Sequence, residues 1–191
     1  MLERTLRSIQ NFTAYGELVA EVLIIDNGSN PALETRWFVR EFAARLRNVR
    51  VVREEQLGLA FARARGFQEA YGEYVLCSDD DNEFAENYLL VAHRLMKELS
   101  HVGIWGPGTV DVEWQEGCDR LVTALLENDF NAVRLQDMTY SLAFPLPPNM
   151  PYGHGMIVRR DVAVAATSGL RTGRISASGR RGVDLAAYED L

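Results

Sequence analysis

The sequence has little cysteine and no long apolar run, and each absence excludes a class of protein. Cys77 and Cys118 are the only cysteines among 191 residues, too few for a disulfide scaffold or a cysteine-based zinc site. Charges interrupt the N-terminal residues, and no later stretch reaches the roughly 18 to 20 apolar residues of a transmembrane helix. We therefore expect a soluble protein of the reducing cytoplasm, with peripheral contact to a membrane left open.

The chain also lacks an excess of positive charge. Its formal net charge is -7 and its pI is about 5.0. A general nucleic-acid binder needs a basic face that displaces the counterions of the phosphates. We therefore expect no nucleic-acid partner, and an anionic ligand would have to be met by local positive charge.

What the sequence does contain is an alternation of short apolar runs with helical patterns. The runs predict strands at residues 21–25, 49–52, 74–77, 102–105 and 155–158, and the periodic stretches predict helices at 34–46, 57–71, 86–99 and 161–166. In the first of these helices Trp37, Phe38, Phe42 and Leu46 share one stripe, which we expect to face the core. The alternation predicts a single α/β domain with a doubly wound, mostly parallel sheet; residues 110–151 receive no assignment.

Acidic residues follow two of the predicted strands. Asp26 ends the run at 21–25, and Asp79, Asp80 and Asp81 follow the run at 74–77. Ligands of such sheets bind outside the carboxyl ends of the strands. In an extended chain Asp79 and Asp81 would point the same way, and two carboxylates make a partial shell for Mg²⁺ or Mn²⁺ that water and a diphosphate can complete. The pattern predicts a divalent-cation site there.

Four motifs in register resemble the family 2 glycosyltransferases. They are EVLIIDNGS at 21–29, GLAFARARGF at 58–67, GEYVLCSDDD at 72–81 and GHGMIVRR at 153–160, and an acidic pair, Glu189 and Asp190, closes the chain. The resemblance covers nearly the whole chain. It implies the GT-A fold and the transfer of a sugar, such as a hexosyl group, from a nucleoside-diphosphate donor to a glycan or lipid-linked acceptor, as in polysaccharide biosynthesis.

The resemblance also implies a role for each matching residue on the donor side. Asp26 corresponds to the aspartate that contacts the nucleotide base, and Arg63 to the basic helix residue that approaches the nucleotide or its diphosphate. Asp79 and Asp81 correspond to the two acids of the Asp-x-Asp motif, the first near the ribose and the second on the metal, Mn²⁺ or Mg²⁺. Asp80 is the variable middle position. The base and sugar of the donor stay open.

On the acceptor side the resemblance implies a general base in the acidic pair. Asp190 is the residue we expect in that role, beside Glu189. Such a base removes the proton of an acceptor hydroxyl while the metal stabilises the departing diphosphate, which gives a single displacement with inversion at the anomeric carbon. About 1–108 would form the nucleotide-binding part of the domain and about 109–191 an incomplete acceptor-side part.

Family members also have an apolar strand before the helix that corresponds to residues 2–10, and further elements after the acidic pair. Neither is present in this sequence, so we expect a chain truncated at both ends. The loss of a central strand would leave an unpaired edge beside the strand at 21–25. The oligomeric state stays open.

Other interpretations stay open beside the enzyme. A degenerate glycosyltransferase-like domain would bind nucleotide, or only a protein partner, without turnover. A nucleotidyltransferase would need a glycine-rich basic loop near its start, and a dehydrogenase a G-x-G-x-x-G after a strand; the sequence has neither. Asp26 can instead form an Asx turn, Arg63 can be an ordinary surface arginine, the aspartates at 79–81 a solvated turn, and Asp190 an exposed terminal acid.

Overall fold

The computed structural model of the protein describes residues 1–114, 116–126, 132–139, 141, 151 and 153–171, which form a mixed α/β fold. The helices among them are α1 (Leu2–Gln10), α2 (Tyr15–Leu18), α3 (Trp37–Arg45), α4 (Leu59–Glu69), α5 (Tyr88–Glu98), α6 (Arg120–Leu126) and α7 (Arg160–Arg171), with a 3-10 turn at Leu33–Thr35. The strands are β1 (Val22–Asp26), β2 (Val49–Arg53), β3 (Tyr74–Leu76), β4 (Ile104–Trp105), β5 (Thr109–Val110), β6 (Val133–Arg134) and β7 (Ile157–Arg159).

β1 and β2 form a parallel ladder whose register runs from Val22 opposite Val49 to Asp26 opposite Arg53. On one face of β1, Val22 and Ile24 pack into a buried cluster with α1 and α3, whose other members are Leu6, Val39, Phe42 and Leu46. On the opposite face Ile25 lies against Gly66 of α4. Because β1 is covered on both sides, its sequence is apolar throughout rather than alternating.

β3, β7 and β4 form a second ladder in that order, and β7 runs antiparallel to both neighbours. Phe67 of α4, Val158 of β7 and Ala163 of α7 make the buried cluster over this ladder. α4 therefore packs against both ladders, since it also contacts β1 and α7. The doubly wound α/β prediction is confirmed, and β3 and β4, both antiparallel to β7, run in the same direction as each other.

The reversal of β7 was not evident from the sequence, and it decides what lies near the end of β3. Leu76, the last residue of β3, is opposite Ile157, the first residue of β7. The residues that precede β7 therefore pass the carboxyl end of β3. The strand predicted at 155–158 begins two residues later and ends one residue later, because Gly155 has φ +85° and lies in a turn. The sheet thus contains residues from both sides of position 108, and the predicted functional division there stays a prediction.

The helix predicted at 34–46 is shorter than expected. A 3-10 turn comes first, α3 begins at Trp37, and the Trp37 side chain is 64% exposed, so its placement in the core was wrong. Val39 and Phe42 are the buried residues of α3. The Trp37 ring packs edge-on against Phe38, with the ring centroids 6.1 Å apart.

Part of the unassigned stretch 110–151 is described. β5 and β6 pair antiparallel, with Thr109 opposite Arg134 and Val110 opposite Val133. Arg134 also donates two hydrogen bonds to Asp111 Oδ1, at 3.1 and 2.8 Å. Across the described ranges, none of the helices combines the length and the apolar character that crossing a membrane requires.

Candidate functional site

Asp26, the last residue of β1, organises the loop that follows it. Its side chain is buried and accepts hydrogen bonds from the Ser29 amide (2.9 Å), the Leu33 amide (3.0 Å) and Arg53 Nη1 (2.9 Å). Burial alone would raise the pKa of this carboxyl, but the hydrogen bonds from Leu33, Ser29 and Arg53 outweigh burial and hold the pKa below its ordinary value of 3.8. Asp26 is therefore ionised and forms an Asx-type turn closed by a salt bridge.

Asn27 ties this loop to the start of α4, a role that the sequence did not indicate. Its Nδ2 donates to the carbonyls of Glu54 (3.0 Å) and Gln56 (2.8 Å), and its Oδ1 accepts from the Gly58 amide (2.8 Å). The sequence showed only that the loop after β1 is polar, which does not identify these hydrogen bonds. The ends of β1 and β2 and the first turn of α4 are thereby held together.

Arg63 projects from α4 toward the residues that follow β3. Its side chain is 15% exposed, and Nη2 lies 3.5 Å from Asp79 Oδ1. The Asp79 side chain is 39% exposed. Two of the predicted donor-site residues are thus brought together as an ion pair that is open to solvent on the aspartate side.

The aspartates after β3 lie in a tight turn and not in an extended chain. The Asp79 amide donates to Asn82 Oδ1 (2.9 Å), the Asn82 amide donates to the Asp79 carbonyl (3.4 Å), and Asn82 Nδ2 donates to Asp81 Oδ1 (3.3 Å). The carbonyl of Asp80 accepts from Thr5 Oγ1 of α1 at 3.0 Å. The argument that extended geometry aligns Asp79 with Asp81 was therefore wrong, because the strand ends at Leu76; their metal-binding role stays a prediction.

The described residues before β7 lie beside the site, and we call residues 151 and 153–156 the strap. The Gly155 amide donates to the Cys77 carbonyl (3.0 Å) and the Cys77 amide to the Met156 carbonyl (2.7 Å), so the strap continues the ladder past the end of β3. Tyr88 Oη donates to the Gly155 carbonyl at 2.5 Å. Burial raises the pKa of Tyr88 to about 12, so the hydroxyl keeps its proton.

A model of the family described as glycosyl transferase family 2 matches residues 1–162. The chain belongs to glycosyl transferase family 2. The crystal structure of residues 1–349 of TarS from S. aureus is similar, with a TM-score of 0.61 at 17% sequence identity. The likeness covers 99% of this chain and 48% of that one, so the chain spans about half the length of that structure and shares its fold. No curated protein matches the sequence significantly.

In this family 2 domain, the predicted site residues fall into three groups. Arg63 and Asp79 meet directly, and Asp81 follows in the same turn, where its Oδ1 accepts from Asn82. Asp26 engages Arg53 and its own loop, and a cavity of about 220 Å³ opens beside this pair. Glu189 and Asp190 lie outside the described residues. Within the described part of the chain, no three or more His, Cys, Asp or Glu side chains gather into a cluster that could hold a metal.

Proposed function

We propose that this chain binds a nucleoside-diphosphate sugar beside Arg63 and Asp79 and transfers the sugar to an acceptor hydroxyl. The observation that carries the proposal is the Arg63–Asp79 pair in a chain that belongs to glycosyl transferase family 2. A guanidinium supplies the local positive charge that a diphosphate needs in a protein of net charge -7. Asp79 lies at the adjacent position, where the family resemblance expects contact with the ribose.

A divalent cation, Mn²⁺ or Mg²⁺, fits the donor set at this turn. Asp79 is partly exposed and Asp81 is exposed, so both offer hard oxygen ligands to solvent. Two carboxylates make only a partial shell, which water and the diphosphate would complete. Asp81 would be the principal ligand, with Asp79 beside it, and the cation would neutralise charge on the departing diphosphate.

The transfer would be a single displacement with inversion. Asp190, with Glu189 next to it, would take the proton of the acceptor hydroxyl. The acceptor oxygen then forms a bond to the anomeric carbon while the bond from that carbon to the diphosphate oxygen breaks on the opposite face. The acceptor class we propose is a glycan or a lipid-linked glycan in polysaccharide assembly in the cytoplasm, with hexose as the transferred sugar and peripheral membrane contact at that acceptor.

The first test is thermal unfolding with UDP, GDP and dTDP, each with and without Mn²⁺. At about 100 times the dissociation constant, binding adds about 2.7 kcal/mol to the free energy of unfolding. For a domain of this size the midpoint rises by roughly 5 to 11 °C. A rise that needs both one nucleotide and the metal supports the donor site and names the base. A transition that no nucleotide moves contradicts it.

One observation favours a catalytically degenerate domain as the second candidate. Asp26, the residue expected to contact the base, accepts hydrogen bonds from the Ser29 amide, the Leu33 amide and Arg53, and the Ser29 hydroxyl also lowers its pKa. A carboxylate has about four acceptor positions, so its own loop and Arg53 occupy most of them before a base arrives. Turnover separates the candidates: a degenerate domain releases no nucleoside diphosphate from any sugar donor.

The variant Asp81→Ala tests the metal ligand, with Asp80→Ala as its matched control. Both remove one carboxylate from the same turn, and the Asp80 contact to Thr5 uses the backbone carbonyl, which alanine keeps. We expect Asp81→Ala to abolish the metal-dependent rise of the unfolding midpoint and Asp80→Ala to retain it. Equal behaviour of the two variants would remove Asp81 from the metal site.

A further inference from the structure

Gly153 of the strap lies directly against the guanidinium of Arg63. A Cβ atom at position 153 would coincide with Nη2 and Cζ of Arg63, and Nη1 would be only 2.8 Å away. The arginine therefore occupies the volume that any side chain at 153 would need. Gly153 is itself buried, so a side chain at this position could not avoid the arginine by turning into solvent.

The strap is fixed on both sides of this contact. After Gly153, the Gly155 amide and carbonyl are held by Cys77 and Tyr88. Before it, Pro151 packs on Gly106, where a Cβ would be 2.7 Å from Pro151 Cβ. Contacts on both sides of Gly153 therefore hold its backbone in place beside Arg63.

The contact matters because Arg63 has a long side chain with many rotamers. Ordering such a side chain on binding costs rotamer entropy. The Gly153 backbone and Asp79, whose Oδ1 lies 3.5 Å from Nη2, both restrict the guanidinium before any ligand arrives. Preorganisation of this kind raises affinity by lowering the entropy lost on binding.

We propose that Gly153 is a positioning residue of the donor site. Because it has no side chain, it leaves free the space in which the Arg63 guanidinium lies and from which it would reach the bound diphosphate; we call this space the seat. The inference rests on the proposed function and adds a determinant on the acceptor-side segment of the chain. The seat does not come from backbone conformation, because Gly153, unlike Gly155, has no positive φ. Alanine at 153 therefore needs no left-handed backbone conformation, and its effect would come from the contact of its methyl group with Arg63.

The first measurement needs no nucleotide. The Arg63 Nε–H signal is recorded by ¹⁵N NMR and assigned by its loss in Arg63→Gln. We expect Gly153→Ala to shift or broaden this signal and Gly108→Ala to leave it unchanged, since a Cβ at 108 meets nothing within 4 Å. If the Arg63 Nε–H signal is unchanged in Gly153→Ala, the proposal that Gly153 makes room for Arg63 is overturned.

The second measurement is the affinity for the nucleoside diphosphate that binds the wild type. The loss of one charge-assisted hydrogen bond predicts a fall of about tenfold or more in both Gly153→Ala and Arg63→Gln. The double variant should be no weaker than Arg63→Gln alone, because the glycine acts only through the arginine. The affinity for the nucleoside without phosphates should stay unchanged. If the double variant loses binding free energy equal to the sum of the losses in the two single variants, the proposal is overturned.

Two further outcomes are distinguishable. If Gly153→Ala fails to fold while Arg63→Ala/Gly153→Ala folds, the methyl group clashes with the arginine and the seat is supported. If both fail to fold, the glycine is needed by the backbone and the seat is overturned.

A wild type that binds nucleotide while Gly153→Ala has full affinity overturns this inference alone. A wild type that binds no nucleoside diphosphate overturns the proposed function itself, and with it the purpose of the seat.

Discussion

At the scale of the residue, Asp26 performs the structural task that the sequence left open as an alternative, the Asx turn. Its carboxylate fastens the loop 26–33 and neutralises Arg53. We expect Asp26→Asn to lower the free energy of unfolding by about 1–3 kcal/mol, since Arg53 loses a charged acceptor. Urea unfolding measures the change. A variant as stable as the wild type would show that the loop does not depend on the charge.

The same carboxyl predicts a dependence of stability on pH. Because the folded pKa of Asp26 lies below 3.8, the unfolded chain takes up this proton at a higher pH than the folded chain. The stabilisation is fully present above about pH 4 and is lost as the pH falls through the folded pKa. The unfolding midpoint of Asp26→Asn should therefore fall less steeply below pH 4 than that of the wild type. Parallel curves would contradict the assignment.

Tyr88 titrates at the opposite end of the pH range. The buried hydroxyl is protonated up to a pKa of about 12, against an ordinary value of 10.0, so its contribution is present below pH 10 and is lost between pH 10 and 12. Tyr88→Phe removes the hydrogen bond to the Gly155 carbonyl, which we expect to cost about 1 kcal/mol. Its stability should also vary less with pH above 10. Thermal unfolding at pH 8 and pH 11 compares the two proteins.

The proximity of Arg63 and Asp79 was predictable, and the geometry of the turn was not. The resemblance placed both residues beside the nucleotide, and the structure places them 3.5 Å apart; their roles in a donor site stay a prediction. The turn at Asp79–Asn82 entered only as an alternative to an extended chain, because polar residues after a strand suit both. Gly153 was missed as well: a contact between residues ninety positions apart leaves no local pattern.

At the scale of the element, α4 is the helix on which both ladders depend. Gly66 faces Ile25 of β1, and a Cβ at this position would meet Ile25 Cγ1 at 3.5 Å, an ordinary van der Waals contact. Alanine in a helix is favoured over glycine by about 0.5–1 kcal/mol. We therefore expect Gly66→Ala to raise the unfolding midpoint. A lower midpoint would show that α4 and β1 are too close for a methyl group.

The helices and strands were largely predictable, and the direction of β7 was not. Apolar runs gave β1, β2 and β3 to within one or two residues, because both faces of β1 are covered and the turn residues bound each run. An apolar run carries no information on strand direction. Tertiary packing, with Leu76 opposite Ile157, sets the antiparallel course that brings the strap to Asp79.

At the scale of the whole molecule, two buried clusters share one connecting helix. Phe42 belongs to the cluster beside β1 and Phe67 to the cluster over β7. Either Phe→Ala change should cost about 3–5 kcal/mol through the lost burial and the cavity. Because α4 packs on β1 and α7 alike, we expect one transition with the same midpoint by circular dichroism and tryptophan fluorescence in both variants. Two separated transitions would show that the clusters unfold independently.

The contact between Gly153 and Arg63 also constrains how the sequence can diverge. A substitution at 153 that adds a side chain displaces the guanidinium, so a donor site that uses Arg63 favours glycine at 153. The two positions should therefore vary together among homologous chains: arginine at 63 with glycine at 153, and a larger residue at 153 with a smaller one at 63. Where position 63 is no longer arginine, the constraint on position 153 is lifted.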